Sequence, residues 1–287
     1  MENALEVCDL SKTYKKSNFN LSNISFSLTK GSIMGFVGKN GAGKSTTIKA
    51  ILDLIEIDSG TIYINGQQLN QSNKMMKEDI GVVFDQNHFS GELTIKKLEK
   101  VLGDIYQNWN PTRFFQYVTK FNLPTNQKIS KFSRGMMMKL SISVALSHEA
   151  KLLILDEATA GLDPVAREEV LDVLLEFVED ENNAILMSSH ISSDLEKICD
   201  YITFIDQGKV ILKEQKDVLI YEYGIARMKT SDFENLNKFD FQASRQRGLQ
   251  YDVLIKNKNQ FQQIYPNIII DNATIDEILR LLTKEEA

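Results

Sequence analysis

Gly38-Lys39-Asn40-Gly41-Ala42-Gly43-Lys44-Ser45-Thr46 is the stretch that decides the fold of this 287-residue chain. It has the form G-x-x-x-x-G-K-S. Its glycines let the backbone wrap closely round an anion, so that successive N–H groups point inward at phosphate oxygens. Lys44 is suited to reach the β- and γ-phosphates of a nucleotide, and the Ser45 hydroxyl to hold Mg²⁺. The flanks agree with this reading. Ser32 to Val37 is a mostly apolar run of strand type, and Thr46 to Leu52 has helical spacing. A helix N-terminus would therefore sit beneath the phosphates. A glycine turn between a strand and a helix would also produce such a stretch, so the remaining sequence has to supply the other parts of a nucleotide site.

Composition narrows the classes. Hydrophobic residues make up 43% and charged residues 25%, ordinary values for a globular protein of one large or two modest domains. A net charge of −6 and a pI near 5.3 leave no basic excess to neutralise nucleic-acid phosphates. Cys8 and Cys199 are the only cysteines and lack metal-ligand spacing, which argues for a reducing compartment without a disulfide scaffold. The acidic start Met1 to Glu6 has no secretory apolar region, and no apolar run approaches the ~18 residues of a membrane span. A membrane role is expected to come through a partner.

The apolar pattern changes along the chain. Val7 to Val37 carries short alternating runs, with Leu21, Ile24, Phe26 and Leu28 as one apolar set, and reads as antiparallel strands. Ile62 to Ile64 before Asn65-Gly66, and Ile80 to Phe84, are further strand candidates. From about Thr94 to Ser147 the spacing is helical: Leu98, Val101, Leu102 and Ile105, then Phe114, Phe115, Val118 and Phe121. This predicts a helical insertion over about 90–148. Strand patterns at 151–155, 184–188 and 201–205 then alternate with helices near 165–179 and 192–199, as in a mainly parallel sheet covered on both faces. The expected fold class is α/β, with residues 1–215 as the main domain and 216–287 as a small αβ appendage packed on the core. In that appendage, Phe239 to Arg247 and Tyr251 to Ile255 read as strands. Thr274-Ile275-Asp276-Glu277 has capping-box form, with Ile275, Ile278, Leu279 and Leu282 on one helical face.

Leu152-Leu153-Ile154-Leu155-Asp156-Glu157 joins an aliphatic strand to two acids. Carboxylates at the carboxyl end of a parallel strand point into the crevice where ligands bind. Asp156 is suited to hold Mg²⁺ through water, and Glu157 to polarise an attacking water.

Together with motifs elsewhere, these residues make the chain resemble the nucleotide-binding subunit of an ATP-binding-cassette (ABC) transporter over about residues 4–215. That resemblance implies a P-loop core with an N-terminal antiparallel β-subdomain, ATP and Mg²⁺ as ligands, and ATP hydrolysis. It assigns the nucleotide to Gly38, Asn40, Gly41, Ala42, Gly43, Lys44, Ser45 and Thr46. Tyr14, 24 residues before Gly38, holds the place of an adenine-stacking aromatic. Gln86 matches the Q-loop glutamine that contacts Mg²⁺ and senses the membrane partner. Phe132-Ser133-Arg134-Gly135-Met136 stands in the place of the L-S-G-G-Q signature and departs from it at Arg134 and Met136. Gly161-Leu162-Asp163-Pro164 resembles the D-loop, which communicates across the dimer, and His190 the switch histidine that contacts the γ-phosphate. Ala158 replaces the proline usual after the catalytic glutamate, a change expected to be mild. The resemblance also implies that Ser133 and Gly135 complete an ATP site on a second cassette, so that ATP lies sandwiched head to tail, with a homodimer favoured.

The form S-R-G-M, together with Trp109-Asn110-Pro111, Arg113-Phe114 and Phe121-Asn122-Leu123-Pro124, is similar to the separate-subunit ATPases of ABC-2-type bacterial exporters. These include bacteriocin, peptide-toxin and phenol-soluble-modulin exporters. The implied partner is a transmembrane permease on whose inner face the subunit docks. Three other classes share parts of this pattern. An importer ATPase would share the core. A soluble non-transport ABC ATPase usually carries two cassettes or a long coiled-coil insertion, and neither is seen. A different P-loop protein such as a GTPase would call for an N-K-x-D segment, which is missing.

Overall fold

The computed structural model describes residues 2–14, 19–70, 74–85, 89–189 and 191–283. The chain opens on β1 (Asn3–Thr13) and β2 (Asn20–Thr29), paired antiparallel, then enters β3 (Ile33–Val37), all five of whose residues are buried. α1 (Lys44–Ile51) follows the glycine loop. β4 (Ser59–Ile64) and β5 (Gln67–Gln68) return to the first sheet and complete the order β2-β1-β4-β5. This is the antiparallel N-terminal subdomain.

α2 (Lys74–Glu78) leads to β6 (Ile80–Val83). The expected helical segment follows as α3 (Ile95–Ile105), α4 (Pro111–Lys120) and α5 (Arg134–Ala145). Local chemistry starts α4: Pro111 takes the first turn, where no backbone donor is needed, and the Asn110 side chain accepts the Arg113 N–H. Leu98 and Leu102 of α3 and Phe114 and Val118 of α4 point inward, joined by Phe121 just past α4.

β7 (Leu152–Asp156), α6 (Pro164–Val178), β8 (Ala184–Ser188), α7 (Ser192–Ile198), β9 (Tyr201–Asp206) and β10 (Lys209–Gln215) complete the central sheet. Its order is β10-β9-β3-β8-β7-β6, parallel throughout except for β10 against β9. The period of two sorts its strands between two cores. Leu152, Ile154, Ala184 and Leu186 face α1 and the antiparallel sheet. Leu153, Leu155, Ile185 and Met187 face α5, α6 and the helical insertion. Parallel strands gather their carboxyl ends at one edge, so β3, β6, β7 and β8 deliver the glycine loop, Asp85, Asp156 and Ser189 to the same side.

The C-terminal region comprises α8 (Lys216–Tyr221), β11 (Gly224–Lys229), α9 (Thr230–Phe233), β12 (Ala243–Arg247), β13 (Gln250–Ile255), α10 (Lys258–Ile264), β14 (Ile270–Asn272) and α11 (Ile275–Leu282). Its sheet is antiparallel, in the order β12-β13-β11-β14. Two expectations are corrected here. β12 begins at Ala243 rather than Phe239, because the Asn237 side chain accepts the Phe239 N–H and turns the chain there. On α11 the buried stripe is Ile275, Ile278 and Leu281, with Leu279 and Leu282 only partly covered. The capping box at Thr274 and Glu277 forms with both of its hydrogen bonds. No helix among the described residues is long and apolar enough to cross a membrane.

Candidate functional site

At the carboxyl edge of the central sheet lies an open groove of ≈ 700 Å³, bounded by the glycine loop on one side and by Asp85, Arg134, Glu157 and Gly161 on the other. The loop needs its glycines at identifiable points. A Cβ on Gly38 would fall 2.3 Å from the Ile205 carbonyl oxygen, and Gly43 caps α1 at φ 116°, in the left-handed region. From that cap the first N–H groups of α1, which have no partner within the helix, face the groove.

Lys44 is the buried cation of the site, 6% exposed. Its Nζ donates to the Gly38 carbonyl at 2.8 Å and lies 3.5 Å from Glu157 Oε1. The ammonium is therefore already held across the groove between its own loop and the Glu157 carboxylate just past β7.

Asp156 and Glu157 are positioned by Ser188. β7 and β8 pair in parallel with Asp156 beside Ser188, and the Ser188 hydroxyl donates to Asp156 Oδ1 at 2.6 Å. The same hydroxyl accepts the Glu157 N–H at 3.1 Å. Glu157 has φ 56°, a left-handed conformation that is costly for a glutamate and that turns its side chain out of the strand toward Lys44. The turn continues through Ala160, whose N–H donates to the Glu157 carbonyl at 3.1 Å.

Ser133 and Gly135 do not border this groove. The Ser133 side chain caps α5 by accepting the Met136 N–H, and Gly135 lies against Leu162 and Ala166. Between them, Arg134 reaches back to the groove and pairs with Asp85. Asp163 caps α6 by accepting the Val165 and Ala166 N–H groups, and these bonds, that to Ala166 foremost, hold its carboxyl below the usual range. Tyr14 is partly exposed, its ring 6.4 Å from that of Phe19 and with the Lys12 ammonium 5.6 Å above it. Gln86 and His190 lie outside the described residues.

Four contributors were not singled out from the sequence. Phe19 lines the groove and an adjoining cavity of ≈ 770 Å³ beside Lys39 and Lys209. Asp85 and Arg134 form the opposite wall, and in the sequence Arg134 marks only a departure from a signature. Ser188 was legible in principle: once β7 and β8 are parallel neighbours, it falls beside Asp156.

Comparison with known proteins adds independent findings. A family model described as ABC transporter matches residues 21–160. The ABC transporter ATP-binding protein YtrB of Bacillus subtilis is 30% identical over 258 residues, spanning 89% of this chain and 88% of that protein. The bacitracin transport ATP-binding protein BcrA of Bacillus licheniformis is 34% identical over 215 residues, spanning 74% of this chain and 69% of that one. A solved ATP-binding subunit of an ABC transporter superimposes with a TM-score of 0.69 at 31% identity, covering 75% of this chain and 91% of its own.

Proposed function

The chain belongs to the ABC transporter family of ATP-hydrolysing cassettes, and we propose that it powers a separately encoded membrane exporter. One observation carries the catalytic part of this reading: Lys44 and Glu157 meet across the groove while Ser133 and Gly135 lie outside it. A single chain thus holds half of a site. A second cassette, docked head to tail, would bring its Ser133 and Gly135 to the phosphates. Because each chain has its own Lys44, Ser45, Asp156 and Glu157, a homodimer would have two competent sites.

In that dimer Tyr14 would stack on the adenine, with Phe19 as a neighbouring aromatic surface. Gly38 to Thr46 would wrap the phosphates, and Lys44 would turn from the Gly38 carbonyl to the β/γ oxygens and offset their charge. Glu157 would polarise the attacking water. His190 would contact the γ-phosphate, and Asp163 would lie at the seam between the two chains.

Ser45 and Asp156 would hold Mg²⁺, with Gln86 completing the set. Their oxygen donors suit a hard cation. Among the described residues no three His, Cys, Asp or Glu side chains form a cage, and Mg²⁺ bound with phosphates and waters needs none. Bound there, it would neutralise phosphate charge.

Export of a peptide or antibiotic is supported by the bacitracin transport relative and by the Ser133-Arg134-Gly135-Met136 variant. The subunit would work on the cytoplasmic side of the membrane, docked by α3–α5 on a permease. The acidic balance leaves nucleic acid aside as a partner.

The test is purification of Glu157→Gln with ATP and Mg²⁺, from solution and from membranes. We expect ATP turnover at least ~100-fold below wild type, an ATP-dependent dimer, and a co-purifying polytopic membrane protein. Steady-state turnover near wild type would remove Glu157 from its role. A monomer indifferent to ATP, or co-purification with ribosomes, would sink the transport reading.

A further inference from the structure

Arg134 stands where the similar signature has a glycine, and its guanidinium makes two contacts. It pairs with the Asp85 carboxylate just beyond β6. It covers Gly161, where an added Cβ would fall 2.8 Å from Nη1 and 3.0 Å from Cζ. It also borders the groove shared by Lys44 and Glu157. Its own backbone is fixed, because Arg134 is the first residue of α5, directly after the Ser133 cap. Gly161 belongs to the turn that leaves Glu157, closed by the Ala160 N–H to the Glu157 carbonyl at 3.1 Å and the Leu162 N–H to the Thr159 carbonyl at 3.3 Å. One side chain thus links the helical insertion, the end of β6 and the turn carrying the reactive carboxylate.

The two side chains are 53% and 47% exposed, so as an ion pair they contribute little to stability. Geometry matters more. A guanidinium gripped by a carboxylate is a flat, oriented plate, which an ammonium is not. Laid against a residue without a side chain, it leaves the turn little room to move outward. Displacing a catalytic group by about 1 Å can cost as much as ~100-fold in rate.

We propose that Arg134, oriented by Asp85, is a positioning residue for ATP hydrolysis that braces Gly161 and so holds the turn presenting Glu157 to the phosphates. This rests on the reading that Glu157 activates water. On the full chain, Arg134→Ala should lower kcat about tenfold while the Kd for a fluorescent ATP analogue stays within about twofold. Asp85→Asn, nearly isosteric and half exposed, should lower kcat about threefold. The double variant should be no slower than Arg134→Ala, since the two residues act as one unit. That non-additivity assigns the effect to the Arg134–Asp85 pair rather than to either residue acting alone. Arg134→Lys, which keeps the charge but not the plate, should recover only part of the rate.

An Arg134→Ala kcat within twofold of wild type, a parallel loss of nucleotide affinity, or independent multiplication of the two effects would each overturn the brace. If Arg134→Ala does not fold, Asp85→Asn decides alone, and an unchanged kcat overturns it. Turnover by Glu157→Gln near wild type removes the premise. A dead Glu157→Gln beside an unaffected Arg134→Ala removes only the brace.

Discussion

Ser188 donates to Asp156 and accepts the Glu157 N–H, so one hydroxyl orients both acids of the site. Ser188→Ala removes a bond to a carboxylate, of the kind worth about 1.5–3 kcal/mol. Because both acids remain, the loss should appear as misorientation. We expect kcat to fall about tenfold, the equivalent of ~1.4 kcal/mol, with nucleotide affinity little changed. Steady-state ATPase kinetics check this, and an unaltered kcat would show that the acids need no such support. At this scale the sequence displayed the glycine loop and the Asp156-Glu157 pair because their chemistry is contiguous. It concealed Phe19, Asp85 and Arg134, whose part in the groove depends on loops that meet only after folding.

Among the elements, the join between α2, α3 and the strand side of the core depends on His148. Its ring stacks on Tyr106 with centroids 4.3 Å apart, and Nδ1 donates to the Glu78 carbonyl at 3.0 Å. Burial pushes its pKa below the ordinary value, outweighing the hydrogen bond to Glu78, which acts the other way. The folded state therefore prefers the neutral ring, and the unfolded chain binds the proton more readily. Its stabilising contribution is full above the unfolded pKa of about 6.5 and is lost as pH falls from there through the depressed folded value. We expect His148→Phe to flatten the decline in thermal midpoint on acidification from pH 7, as followed by circular dichroism. A decline equal to wild type would assign it to other groups. Helix and strand types were legible at this scale because 3.6 and 2 are distinct periods. The ends were less so: the side-chain bond from Asn237 that delays β12 is a local competition which hydrophobic spacing does not register.

Across the whole molecule, the C-terminal region shares a core with the rest of the chain. Ile275, Ile278 and Leu281 of α11 join the cluster that contains Leu195 and Ile198 of α7, and Ser192 donates to Asp276 at 2.8 Å. Ile278 is 0% exposed, so Ile278→Asp should cost on the order of 3–5 kcal/mol through lost packing and a buried charge. A continuous core should also melt as one unit. The fluorescence of Trp109, the single tryptophan, which packs in the helical insertion, should therefore change at the same temperature as far-UV circular dichroism, in wild type and variant alike. Two separated transitions would show that the tail folds independently. By itself the sequence determined the α/β class, the phosphate loop, the paired acids and the family resemblance, because each is written in consecutive residues or in a repeating period. Only the tertiary structure decided the rest: parallel pairing set Ser188 beside Asp156, the shared carboxyl edge of β3 and β7 set Lys44 3.5 Å from Glu157, and the insertion folded Arg134 over Gly161. Those distances join residues far apart along the chain, and no local pattern specifies them; the packing of the sheet between its two cores does.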